Sequence, residues 1–268
     1  MKIINRLQFL LLVTLFFAQA FIGASFIKPK IKISKQDSSI NFNESFSRLA
    51  TFGHGRFIGA ITWVLTLLEG DIEHYKSKDG NSWMFHRFNS ITIYDPLFYE
   101  NYRFGGQYLS IIKDDISGAT FIYDKGLKLY PDDFELNYHA GFHYYFEANH
   151  ISKAISSYEK LSQNKEILSR FPLLPSILAK LRVENGDLNS AFSGLKDVYD
   201  SLADDSKFKL RFFNTLYTLK AKRDLKCLNG PNPVNCERND FSGEPYQKKK
   251  GSYLTSKSLS KIMLKKKN

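Results

Sequence analysis

Apolar residues along this chain recur mostly at steps of three and four, the spacing of one helix face. Over residues 49–75 the series is Ile58, Ile61, Val64, Leu65, Leu68 and Ile72, which predicts a single long helix. Asp79-Gly80 marks a turn, and Ser82 is a good N-cap for a helix through Trp83, Phe88, Ile91 and Ile93. Asp95-Pro96 stops it, because the residue before a proline avoids the helical region. The pattern then comes in pairs. Phe98 to Ile112 forms a first helix, Asp114-Asp115 a turn, and Ala119 to Leu127 a second helix that ends at Tyr130-Pro131. Leu136, Ala140, Gly141 and Tyr144 begin the next pair, followed by Ala154, Tyr158 and Leu161. Leu178 and Leu181, the turn Gly186-Asp187, then Ala191, Leu195 and Val198 make a looser pair after Pro172 and Pro175. A last amphipathic helix over residues 205–225 would cap the series. The expected class is all-α.

The pairs echo one another at 35 residues. Pro96 and Pro131 keep that step, as do Phe88, Tyr123 and Tyr158, and Met84, Ala119 and Ala154. Gly106 and Gly141 keep it too. A fixed period of this size signals an array of one repeated supersecondary unit, which buries its core by stacking on its neighbours.

These residues resemble the tetratricopeptide repeat. Tyr102 stands at the family's Trp position and Gly106 at its small position; after one extra residue in the turn, Ala119, Tyr123, Gly126 and Pro131 fit its Ala, Phe, Ala and Pro positions. The next unit matches at Gly141, Ala154 and Tyr158, and a third at Ala179, Gly186 and Ala191. The resemblance covers about residues 50–225. It implies a right-handed α-solenoid of about three to four helix-turn-helix units. The packing residues would be Gly106, Ala119, Tyr123, Gly141, Ala154, Tyr158 and Ala191. It also implies a concave groove lined by the first helix of each unit: Glu100, Arg103, Gln107, Ser110 and Ile111, then Glu135, Tyr138, Phe142, Tyr145 and Phe146. Of these, Arg103, Gln107, Tyr138, Phe142 and Tyr145 are the candidate partner-binding residues. Arg103 and Gln107 have the chemistry to hold a carboxylate, and Tyr138, Phe142 and Tyr145 share one helical face. The competing reading of that aromatic stripe is packing against the next pair.

Charge alters the picture at the ends. The net charge is +11, yet residues 1–36 and 245–268 hold fourteen basic residues and no acidic one. The segment between carries 24 basic against 27 acidic residues, so a folded nucleic-acid surface is not expected. Lys2 and Arg6 precede an apolar stretch over residues 7–27, with Ala18-Gln19-Ala20 resembling a cleavage site. That stretch reads either as a signal peptide or as an uncleaved membrane anchor, and both place the rest across a membrane. Cys227 and Cys236 flank a loop of two prolines, a glycine and three asparagines, suited to a local disulfide in an oxidising compartment. Such a bridge would contribute about 2.5 kcal/mol by loop closure.

The expected organisation is a leader over 1–27, a linker over 28–48, repeats over 49–226, a Cys-bounded loop over 227–244 and a Lys-rich tail over 245–268. The tail reads as a basic amphipathic helix or as a solvated end. The chain lacks Gly-x-Ser-x-Gly, a Gly-rich phosphate loop and a Cys-His nucleophile pattern. His139, His143 and Glu147 share a helix face without the HExxH arrangement, so no metal or other cofactor is expected. The function expected is a non-catalytic scaffold for a protein partner, membrane-attached and facing the periplasm. The alternatives are an envelope enzyme or metal protein using His139 and His143, and a structural protein attached to membrane or cell wall through its tail.

Overall fold

The structure, a computed structural model, describes residues 11–19, 21, 22, 35, 36, 44–72 and 80–255. The chain divides into two compact units, residues 1–40 and 41–268. In the first, residues 11–19 are helical, with Leu12, Phe16 and Phe17 exposed. Among the described residues no helix is long and apolar enough to cross a membrane. Most of the leader, and the last thirteen residues of the tail, lie outside the described residues.

From residue 44 onward the protein is helical: α1 Glu44–Ala50, α2 Gly55–Leu68, α3 Trp83–Tyr94, α4 Tyr99–Gln107, α5 Ile116–Leu129, α6 Phe134–Phe146, α7 Ile151–Ser162, α8 Lys165–Arg170, α9 Leu174–Glu184, α10 Leu188–Ser201 and α11 Lys209–Leu228. A short hairpin, β1 Gln247–Lys249 and β2 Ser252–Leu254, follows. The helices pack in sequence order as α2 with α3, α4 with α5, α6 with α7 and α9 with α10, and α11 lies on α10. Each second helix also touches the first helix of the next pair, α3 on α4, α5 on α6 and α7 on α9. Equivalent helices meet as well, α4 with α6 and α3 with α5.

Local chemistry sets the helix ends. The Ser82 hydroxyl accepts from the Phe85 amide to start α3, and Asp115, Asp133 and Asp187 cap α5, α6 and α10 in the same way. α3 stops at Asp95, before Pro96. The extra residue of the 35-residue step sits at the end of the first helix of a pair. α4 runs into a π-helical turn, Tyr108–Ile112, closed by the Lys113 amide on the Tyr108 carbonyl and the Asp115 amide on Leu109. The same two bonds recur 35 residues on, from Ala148 to His143 and from His150 to Tyr144. Asp114 and Asn149 take the left-handed conformation that each wide turn needs. The α9–α10 pair closes more tightly, with Gly186 in that conformation and Asp187 bonded five residues back to Arg182.

Small residues let the paired helices approach. A Cβ placed on Gly106 would lie 2.6 Å from the Tyr123 ring, and one on Gly141 would lie 2.8 Å from the Tyr158 ring. In the α9–α10 pair the ring is replaced by Leu195, and Ala179 replaces the glycine. Tyr102, Tyr123, Ala119, Ala154 and Tyr158 are buried in one continuous core, and Ala191 in the next. Gly106→Ala is therefore expected to destabilise the protein by about 1–2 kcal/mol, although alanine is the better helix former. In a Tyr123→Leu background the same change is expected to cost nothing or to stabilise. Urea unfolding of the four proteins measures this; a neutral Gly106→Ala in the parent chain would contradict it.

Three segments differ from the sequence expectation. The helix expected over 49–75 is two helices, because Phe52 and Gly53 both take positive φ and break it. The linker expected over 28–48 includes the start of α1. The described start of the Lys-rich tail is a hairpin and not a helix, with its strands largely exposed, and residues 256–268 lie outside the described residues. Lys250 and Gly251 both take positive φ, as a two-residue turn requires, and Tyr246 is buried. Cys227 and Cys236 are bridged, with Cα atoms 5.7 Å apart.

Candidate partner-binding groove

The first helices of successive pairs, α4 and α6, are joined by polar side chains offset by about one unit. Arg103 donates to Glu135 Oε2 at 3.1 Å, Gln107 Nε2 to His139 Nδ1 at 2.7 Å, and Tyr99 to Asp133 Oδ1 at 2.7 Å. Deeper in, Ser110 Oγ lies 2.7 Å from His143 Nδ1. The second helices are joined likewise, Lys125 reaching Asn89 and Thr92.

Both histidines have the same tautomer, fixed by their partners. An amide nitrogen can only donate, so His139 Nδ1 accepts from Gln107, and Nε2–H faces Glu135 Oε2 at 3.3 Å. The Thr120 hydroxyl gives its proton to the Ile116 carbonyl and so accepts from His143 Nε2–H at 2.8 Å. His143 Nδ1 is then left to accept from Ser110. Burial holds both imidazoles below the ordinary value of 6.5, His143 down to about 4. With every ring nitrogen engaged, these histidines are structural cross-links. Among the described residues, no group of three or more His, Cys, Asp or Glu is arranged to hold a metal.

The candidate residues separate into three kinds. Arg103 and Gln107 are engaged by Glu135 and His139, and the Arg103 guanidinium also lies 4.7 Å above the Phe104 ring. Tyr138 packs among Phe134, Tyr158 and Phe171. Tyr145 reaches the next pair, its hydroxyl 3.0 Å from Glu184. Phe142 points outward, 38% exposed, with its ring 4.6 Å from that of Phe146, which is 60% exposed. Phe146 stands 35 residues after Ile111, also exposed, and Phe142 stands 35 after Gln107.

Ile111 belongs to a groove of about 600 Å3 between α2 and α4, lined chiefly by Trp63, Leu67, Phe104, Gln107, Tyr108 and Ile111. Trp63, Leu67, Phe104 and Tyr108 were not among the expected groove residues. The repeat register places Ile111 and Phe146, but it does not show that α2 supplies the opposite wall. A second cavity, of about 550 Å3, is lined by both polar and apolar groups, among them Asp114, Asp115, Ile116, Thr120, Ala148 and His150. Asp115 is spent on capping, its oxygens accepting from Ser82 N at 2.7 Å, Gly118 N at 2.9 Å and Asn81 Nδ2 at 2.9 Å. The chain matches no family model, no curated protein and no solved structure.

Proposed function

We propose that this chain is a tetratricopeptide-like α-solenoid acting as a non-catalytic scaffold, with the first-helix face of its units holding the apolar side of a protein partner. The observation that carries this reading is the contrast along that face. Arg103 bonds Glu135 and Gln107 bonds His139 within the face, the Arg103 Nε being buried without an acceptor, whereas Phe104, Ile111, Phe142 and Phe146 stay exposed. A surface that leaves large apolar groups exposed gains most by covering them. The repeating 35-residue turn and the Gly106–Tyr123 and Gly141–Tyr158 contacts support the solenoid. Rigid stacking would lower the ordering cost of a bound segment, an amphipathic helix laid in the groove being the simplest form. The Cys227–Cys236 bridge and the apolar stretch over residues 7–27 support a membrane-attached protein with its repeats in an oxidising compartment such as the periplasm.

Phe142→Ser combined with Phe146→Ser tests the reading. Both side chains are exposed, so the change is expected to leave the thermal midpoint nearly unmoved. Capture of the partner by the full chain from membrane extracts is expected to fall about tenfold or more, as for the loss of a central aromatic anchor. Equal capture by parent and variant would remove the groove from the account.

A further inference from the structure

Helix α2 is built inside out. Its protein-facing side carries mostly small residues: Gly59 and Thr66 are buried, Gly59 lies against Tyr94 and Asp95, a Cβ on Gly55 would collide with the Tyr94 carbonyl, and Trp63 alone is large, packing on Phe88 and Phe98. The opposite side carries Phe57, Ile61, Val64, Leu65 and Leu68, at steps of four, three, one and three, each between 44% and 76% exposed. This is one continuous helical stripe, turned away from the protein. α1 and the turn after it extend the apolar surface with Phe46, Leu49 and Phe52.

We propose that α1 and α2 seat the protein on an anionic lipid bilayer surface, with this stripe lying among the headgroups and the upper acyl chains. Length decides between spanning and lying flat. The 14 residues of α2 extend about 21 Å, short of the roughly 30 Å hydrocarbon core. Charge points to lipid. Residues 57–68 contain no ionisable side chain, and exposed Arg56 stands on the N-terminal side of the stripe. The acidic residues past its other end are neutralised, Glu69 by Arg87 at 2.8 Å and Asp71 by Lys113. The sequence before α1 adds Lys28, Lys30, Lys32 and Lys35, and its apolar stretch ends at residue 27, within a short tether of Glu44. Basic residues beside an uncharged apolar stripe fit a surface of acyl chains under anionic headgroups. The stripe lies on another face of α2 from Trp63, which lines the groove, and the lipid contact does not depend on the scaffold reading.

The test uses the full chain on phosphatidylcholine vesicles containing phosphatidylglycerol and doxyl-labelled lipid. An environment-sensitive fluorophore is attached at Ile61→Cys, at Leu68→Cys, or at exposed Asp197→Cys on α10, the native cysteines being bridged to each other. Lipid quenching several-fold stronger at 61 and 68 than at 197 is expected. Adding Val64→Glu to the Leu68→Cys protein is expected to abolish most of that quenching. Equal quenching at all three positions would show tethering without seating and overturn the proposal. A label at 68 that is shielded from water yet unquenched would also overturn it, showing that protein covers the stripe.

Discussion

Asp224→Ala is expected to lower the free energy of unfolding by about 3–5 kcal/mol, the usual cost of removing one partner from a buried charge cluster. Asp224 is only 3% exposed and sits where α11 meets the Cys-bounded loop and the hairpin. Its Oδ2 accepts from Lys220 at 2.8 Å and from the Tyr246 hydroxyl at 3.1 Å, and its Oδ1 accepts from Arg223 Nε at 3.0 Å. Without it, Lys220, itself 8% exposed, is left with Glu237, whose side chain is mostly in solvent. Asp224→Asn keeps the shape and one acceptor and should fall between the two, and Tyr246→Phe should cost about 1 kcal/mol. Urea unfolding at neutral pH measures all three. A loss below about 1 kcal/mol for Asp224→Ala would contradict a buried cluster that ties the C-terminal segment to α11.

The second large effect is a pH dependence carried by His143. Burial lowers its pKa first, His150 and Lys153 lower it further, and Asp124 opposes them, to a folded value of about 4 against an ordinary 6.5. On acidification the unfolded chain takes the proton before the folded one. The contribution of neutral His143 is therefore fully present above pH 6.5. It is lost as pH falls from 6.5 towards 4, and no more is lost below that. Integrated over this window the loss is roughly 3 kcal/mol. In molecular terms, a proton on Nδ1 turns the acceptor that faces Ser110 into a donor, in a site closed to water. His143→Gln removes the titration while keeping one donor and one acceptor. Urea midpoints of parent and variant should diverge between pH 7 and pH 4, the parent falling further. Parallel curves over that range would contradict the assignment.

Much of the helix plan could be read from local chemistry, since each signal acts within a turn of its own position. Ser82, Asp115, Asp133 and Asp187 cap helices, and Pro96 and Pro131 follow helix ends. The extra residue of the 35-residue step was visible as a count, but the π-helical turn that houses it depends on hydrogen bonds that a count does not specify. Short α8 was missed, although Asn164 caps it with bonds to the amides of Glu166 and Ile167. The break at Phe52 and Gly53 was hidden because an apolar series on either side of a turn reads as one helix. The stripe Ile61, Val64, Leu65, Leu68 illustrates a general limit. Periodicity finds the apolar face of a helix but not what covers it, and here Gly59, Thr66 and the one large residue Trp63 face the protein. At the start of the Lys-rich tail, charge count matched the exposure of the strands but did not show the hairpin, which buried Tyr246 and the Lys250-Gly251 turn fold back. At the groove, Arg103 and Gln107 looked available because sequence shows a side chain without its partner. Glu135 and His139, about one unit on, supply those partners.

A photo-reactive residue placed in the full chain at Phe142, and separately at exposed Ser152 on α7, tests the central claim most directly when irradiated in intact cells. The account predicts one protein partner crosslinked through position 142 and not through 152, and loss of that product when Ile111→Ser and Phe146→Ser are added. A product formed equally from both positions, or one that survives those substitutions, would contradict a partner held in the groove.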